Sequence, residues 1–366
     1  MSHPIMKATL DLGQSLWLDY ISRELMDSGG LERHVAEGLR GMTSNPTIFE
    51  KAVAGSEDYD DDIRKGIASE LTANEVFENL AVSDVARACN MLSGVYQDSK
   101  TIDGYVSLEV SPTLAHDTKG TVTEALRLWE RVNRPNLMIK VPGTVEGQPA
   151  ILELLTRGIN VNVTLLFTFQ QYVDVLETYI KALEARHAKG EDLSRIASVA
   201  SFFVSRIDTV ADAQLEKKGR KDLCSKGAIA NACMAYKHFQ TVTASPRWKK
   251  LADAGAQVQR PLWASTSTKN PAYPDTLYVD ELIAQHTVNT VPPQTLSAFK
   301  DHGKPAANLL KNMESAEKTL TEMKSLGVDI DQIAFDLIED GVVKFAKSYD
   351  DLISAIASKL KAGATA

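Results

Sequence analysis

Short β-branched or apolar runs alternate, over most of the chain, with longer stretches whose apolar residues recur at helical spacing. That alternation is the pattern of a parallel sheet with helical crossovers, so the expected class is α/β. Strands are expected at Ser15–Tyr20, Gly41–Ser44, Tyr105–Val110, Leu137–Val141, Ile159–Leu165, Ala197–Val204, Pro261–Ser265 and Thr287–Val291. About eight strands of this kind close a (β/α)8, or TIM, barrel. Thr123–Val132, Gln148–Arg157, Gln170–Ala188 and Gly227–Phe239 supply helices of its outer ring. The segment from Thr47 to Asp103 exceeds a single crossover and reads as several helices inserted after the second strand, including Ala73–Leu80 and Ser83–Tyr96. After Gly303-Lys304-Pro305 the chain turns helical again from Ala306 to about Lys361, a tail expected to pack against the barrel. Without an internal repeat, a low-complexity tract or an interdomain linker, residues 1–366 are expected to form one domain, with 306–361 as its helical extension.

Composition narrows the partners more than the fold. A chain of 366 residues with 44% hydrophobic content can bury a large core. Its formal net charge of -8 argues against nucleic acid, whose phosphates call for clustered Lys and Arg, although one or two placed cations still suffice for a small phosphate. No apolar run is long enough to span a bilayer, so no membrane role is expected. The N-terminus lacks a secretory signal, and the three cysteines, Cys89, Cys224 and Cys233, form no C-x-x-C pair; both point to a reducing cytoplasm. Seven histidines form no spaced cluster, so no metal is assigned, and Asp60-Asp61-Asp62 reads as a solvated surface. Monomer and homodimer both remain open.

Barrel enzymes build their sites at the C-terminal ends of the strands. Strand alternation turns Ser107 and Glu109 inward on the third strand, Lys140 with Met138 on the fourth, and Asn160, Asn162 and Thr164 on the fifth. It likewise groups Trp17 with Asp19, and Val199 with Ser201 and Phe203. Ionisable groups entering one interior from several strands are costly unless they pair or do chemistry. A Lys amine in such a place can lose its proton and attack a carbonyl, with Asp19 or Glu109 as the base. The alternation equally allows Lys140 to be a buried ion-pair partner of either carboxylate with no chemical duty.

The segment Leu137-Met138-Ile139-Lys140-Val141-Pro142-Gly143-Thr144 resembles the Schiff-base lysine motif of transaldolases. Gly41-Met42-Thr43-Ser44-Asn45-Pro46-Thr47-Ile48-Phe49, Ser107-Leu108-Glu109-Val110 and Gly158 to Phe167 resemble the family's second, third and fifth strands in the same order. Leu16-Trp17-Leu18-Asp19 and Ser201 to Asp208 extend the match, which runs from Asp19 to Asn270. The resemblance implies that Lys140 forms the covalent intermediate, that Asp19 is acid/base at the C4 hydroxyl, and that Glu109 with Thr164 positions a water. It further implies that Asn45, Asn162 and Ser201 hold the three-carbon fragment, beside Phe203, and that Arg206 binds the phosphate. After the seventh strand the sequence departs from many members, which have an arginine in a shorter segment. Lys269 is the candidate second cation there and Ser265 a hydrogen-bond donor, with Ser267 and Thr268 as alternatives.

The implied reaction needs no cofactor. It moves a dihydroxyacetone unit reversibly from sedoheptulose 7-phosphate to glyceraldehyde 3-phosphate in the pentose phosphate pathway, giving erythrose 4-phosphate and fructose 6-phosphate. The alternatives are the related fructose-6-phosphate aldolase, which releases dihydroxyacetone to water, and a non-catalytic barrel that only binds sugar phosphates. By resemblance, Glu109 and Phe203 side with transfer, since the aldolases tend to have glutamine and tyrosine there and lack the insertion and tail.

Overall fold

The computed structural model describes residues 2–364, with side chains to 361. Among these, eight strands pair in sequence order, all parallel: β1 Gln14–Asp19, β2 Gly41–Thr43, β3 Val106–Glu109, β4 Leu137–Pro142, β5 Val161–Leu166, β6 Ser198–Phe203, β7 Arg260–Ala264 and β8 Thr287–Val291. β8 returns to β1, so the barrel closes without an edge. Outward residues such as Leu16, Leu18, Ile139 and Val163 are buried under the helical ring, which is why the strands read as nearly continuous apolar runs.

The floor of the barrel holds a buried, paired Arg260. Arg260 lies 2.8 Å from Asp103 and also donates to Ser15 Oγ and the Ile102 carbonyl. Ser15 and the Trp17 indole both donate to the Asp103 carboxylate, and the guanidinium lies 5.8 Å from the Trp17 ring centroid. Trp17 fills the interior because β2 offers no side chain at its neighbour Gly41; a Cβ there would fall 2.6 Å from the indole.

Between β2 and β3 the chain forms helices Pro46–Ala54, Asp60–Ala68, Ala73–Met91 and Ser93–Asp98. The two helices expected at Ala73–Leu80 and Ser83–Tyr96 are differently divided: one helix runs through Ser83 and the break falls at Leu92. Thr72 and Glu75 close a capping box that sets the true start, and Asp84, one residue after Ser83, is buried against Arg23. Asp60–Asp62 form the first turn of their helix, where carboxylates suit its positive end; Asp62 pairs with Arg23 and Lys65, and Asp60 with Lys359.

The tail is two helices, Asn308–Ser325 and Ile330–Ala364, where one continuous stretch was expected. Gly327, at φ +75°, turns the chain between them. The first packs on Gly227–Thr243, while the second crosses the C-terminal mouth of the barrel against Pro46–Ala54 and Ser205–Lys217. No described helix is long and apolar enough to cross a membrane. All three cysteines are buried free thiols.

Candidate active site

Parallel register places Glu109 of β3 directly beside Lys140 of β4, and Lys140 beside Asn162 of β5. Lys140 Nζ lies 3.1 Å from Glu109 Oε2 and donates to the Ser44 carbonyl at 3.2 Å. The Glu109 contact is an ion pair poorly angled for a hydrogen bond, and both carboxylate oxygens are buried without a hydrogen-bond partner among the described residues. The Thr164 hydroxyl is buried in the same condition. Such atoms are scarce in folded proteins, and a ligand or solvent oxygen would complete them.

Local backbone explains the aim of Thr164. The pairing of β5 with β6 shifts register between Val163 and Leu166, and Leu165 takes a left-handed φ of +59°. A bulge of this kind re-aims a side chain at the end of a strand, at a conformational cost of about 1–3 kcal/mol for a non-glycine residue. Ser265, at the end of β7, is also left-handed, with φ +54°.

Asp19 ends β1 on the same interior. Thr43 donates to its Oδ1 at 2.7 Å, and the Thr290 hydroxyl lies 2.6 Å from that of Thr43. Burial raises the Asp19 carboxyl above its ordinary range, against the opposing pull of Lys140 and the Thr43 hydrogen bond. Burial raises Glu109 likewise; Lys140 opposes the shift and the Asp19 charge adds to it. Two carboxyls whose pKa values are raised by burial thus lie near one amine, an arrangement suited to proton transfer.

These groups meet a cavity of about 400 Å³ lined by Asp19, Lys140, Thr164, Ser201 and Phe203, with Asn45 at its side. Glu109 faces a neighbouring cavity of about 790 Å³ that shares Asn45. Asn45 caps the Pro46–Ala54 helix, its Oδ1 accepting the Ile48 N–H at 3.0 Å. Asn162 sits one layer below, outside the cavity lining: its amide donates to Ser107 Oγ and its oxygen accepts from Ser201 Oγ, so it holds Ser201 in place. Asn160 lies lower still and braces backbone at the strand starts, donating to Pro135 and Leu137 and accepting from Ala197.

The rim is cationic. Arg206 enters at the N-terminus of the Ser205–Lys217 helix, its guanidinium 5.6 Å from the Phe203 ring centroid and its Nη1 buried without a partner. Burial depresses the Arg206 pKa, with Asp340 opposing; burial and the Arg206 charge together depress that of Lys269. Two partly desolvated cations close together beside a helix N-terminus make surroundings that favour a negative charge. Lys269 also donates to Ser267 Oγ at 2.7 Å, and Ser265 Oγ lies 3.0 Å from Ser205 Oγ. The loop bearing Lys269 is fastened to the Arg206 helix through Tyr273 to Asp212 and Tyr278 to Asp208. Burial pushes the Asp208 carboxyl up to about 7. Thr268 does not line the cavity, whereas Ser267 does.

Residues 16–356 match the family model described as Transaldolase/Fructose-6-phosphate aldolase. The chain belongs to that family. A relative named transaldolase from Trichodesmium erythraeum is 46% identical over 365 residues, covering 96% of each chain. Similar proteins of the same name from Frankia alni and Thiobacillus denitrificans are each 46% identical, covering 98% of both chains in the first case, and 96% of this chain and 99% of its own in the second.

For this member of the transaldolase/fructose-6-phosphate aldolase family, strand alternation brought Asp19, Glu109, Lys140, Thr164 and Ser201 to one end of the barrel. It missed Thr43, which aligns the Asp19 carboxylate, although the same alternation turns Thr43 inward with Gly41. It also missed Phe345 of the tail, whose ring lies 5.5 Å from Lys140 Nζ. No local pattern in the tail signals that contact.

Proposed function

We propose that this chain is a cytoplasmic transaldolase, working as one domain over residues 1–366 and transferring a dihydroxyacetone unit between phosphorylated sugars through an imine on Lys140. The observation that carries this reading is a buried amine set between two raised carboxyls on the wall of a cavity with a cationic rim.

Lys140 in its neutral form attacks the C2 carbonyl of a ketose phosphate. Glu109 and Thr164, whose oxygens lack hydrogen-bond partners among the described residues, hold the water that shuttles protons as the carbinolamine loses hydroxide and becomes an iminium. Asp19 takes the C4 hydroxyl proton, the C3–C4 bond breaks, and its electrons pass to the iminium to give an enamine. The first aldose leaves; the enamine carbon adds to a second aldehyde, whose oxygen regains the proton from Asp19. Hydrolysis of the imine returns the free amine. Asn45 and Ser201 engage hydroxyls of the retained fragment, with Asn162 acting through Ser201. Arg206 and Lys269 receive the phosphate, assisted by Ser265.

Transfer to a second sugar, in preference to release, is supported by the full-length transaldolase relatives and by the Phe203 ring. Phe203 packs 5.0 Å from Phe167 and presents no phenolic proton to the enamine.

Incubation with fructose 6-phosphate and borohydride should add one reduced dihydroxyacetone unit to Lys140, read by peptide mass spectrometry. No added mass, or mass on another lysine, refutes the mechanism. The phosphate assignment has its own check. Arg206→Ala should lower kcat/KM for fructose 6-phosphate by about 10- to 100-fold, the scale of lost charge-assisted bonds, mainly through KM. Equal losses on fructose and on its phosphate would remove Arg206 from that role.

A further inference from the structure

One wall of the cavity at Lys140 comes from the C-terminal tail. The Ile330–Ala364 helix crosses the mouth and sets the Phe345 ring over the amine, 5.5 Å from Nζ to the ring centroid, with only 6% of the residue exposed. This placement is fixed from several directions. Thr47, just past β2, donates to Ser348 Oγ at 2.8 Å, and Tyr349 donates to Asn74 at 3.0 Å. Lys359 bonds the Ser56 carbonyl and Asp60 at 3.0 and 2.7 Å. At the other end of the contact, Gly341 lets the helix close onto β5: a Cβ there would stand 3.1 Å from Leu165 Cδ2 and 3.4 Å from Phe167 Cε2. The helix is thus anchored on both sides of Phe345, and the ring is held over the reacting nitrogen with little freedom to leave it.

The chemistry at that nitrogen has a branch point. Once the first aldose has left, the enamine carbon can form a bond to an aldehyde carbon, with the proton on Asp19 going to the new alkoxide. It can instead take a proton derived from solvent. In the second case the iminium re-forms, water adds to it, and free dihydroxyacetone departs while Lys140 regains its amine. Both routes balance without an oxidant or reductant; they differ in whether water or an aldehyde reaches the carbon first. An aromatic wall admits a sugar edge-on but offers a water molecule no hydrogen bond.

We propose that Phe345, delivered by the C-terminal helix, is a specificity-determining residue for this partition: it screens the enamine from solvent protons, so the three-carbon unit passes to an aldose and is not released. The proposal rests on the imine reading above. It extends to a second wall the apolar lining that Phe203, backed by Phe167, gives the first, and it assigns a chemical duty to a tail otherwise accounted for by packing.

The test compares Phe345→Ala and Phe345→Val with the unsubstituted enzyme. Free dihydroxyacetone released from fructose 6-phosphate alone is measured against sedoheptulose 7-phosphate formed when erythrose 4-phosphate is added. The release-to-transfer ratio should rise about tenfold in Phe345→Ala and about threefold in Phe345→Val, equivalent to a change of roughly 0.7–1.4 kcal/mol in the partition. In deuterated water the released product should carry one deuterium at the carbon that had been the enamine nucleophile. An unchanged ratio in the variants that fold overturns the proposal, even if both rates fall together, because that is the outcome of a purely structural role. Borohydride trapping in the same samples separates the two claims. Normal trapping on Lys140 with an unchanged ratio sinks only the role of Phe345; failure to trap in the unsubstituted enzyme sinks the imine reading itself.

Discussion

Lys140→Ala is expected to abolish transfer, by about 10⁴-fold or more, while leaving a folded barrel. The amine lies on the cavity wall beside the buried Glu109, and neither carboxyl can replace it as an electron sink. The fold survives for a specific reason. Removing the cation leaves Glu109 buried without its ion pair, but burial already raises that carboxyl, so it can keep a proton in place of a buried charge. The stability cost is then about 1–3 kcal/mol, that of an unsatisfied buried group. A coupled assay and a thermal melt on the same preparation check both halves. Residual transfer above about 1% of the original rate would rule out Lys140 as the nucleophile, and a melt that collapses along with activity would favour a structural lysine.

At the opposite end of the barrel the expected pattern reverses. Arg260→Ala should cost about 3–5 kcal/mol, because it strands the Asp103 carboxylate in a closed interior and removes donors to Ser15 and the Ile102 carbonyl. Asp103 is only 4% exposed, so the loss should appear as a lowered melting temperature and a lower denaturant midpoint. Turnover per folded molecule should stay near that of the unsubstituted protein, since the strand ends carrying Asp19, Glu109 and Lys140 lie at the other mouth. A variant with normal stability and crippled kcat would show that the floor and the site communicate, contrary to this expectation.

The contrast between these two ends also marks what sequence could reveal. Strand periodicity is local and strict, so reading every second residue of Tyr105–Val110 and Leu137–Val141 was enough to bring Glu109 and Lys140 to the same interior, where the observed register makes them neighbours. The same rule turned Asn162 inward but could not say that Ser107, two strands away on β3, and Ser201, on the adjacent β6, would occupy its amide and hold it beneath the cavity. Helix boundaries suffered from a different ambiguity. Ser83 looks like a start signal, yet Thr72 with Glu75 caps the helix more completely and the chain runs through Ser83. Arg260 with Asp103, and Phe345 with Lys140, were beyond reach because each joins segments distant in sequence that meet only when the barrel closes or the tail docks. The Ser265 to Asn270 segment was the hardest part of the site to align, and its geometry follows from a left-handed Ser265 and two tyrosine anchors that no short motif announces.

The tail that delivers Phe345 also imposes an order on the life of the molecule. A ribosome releases Asp19 first and Lys140 next, and Phe345 only after all eight strands, so a growing chain holds the amine before it holds the aromatic ring that covers it.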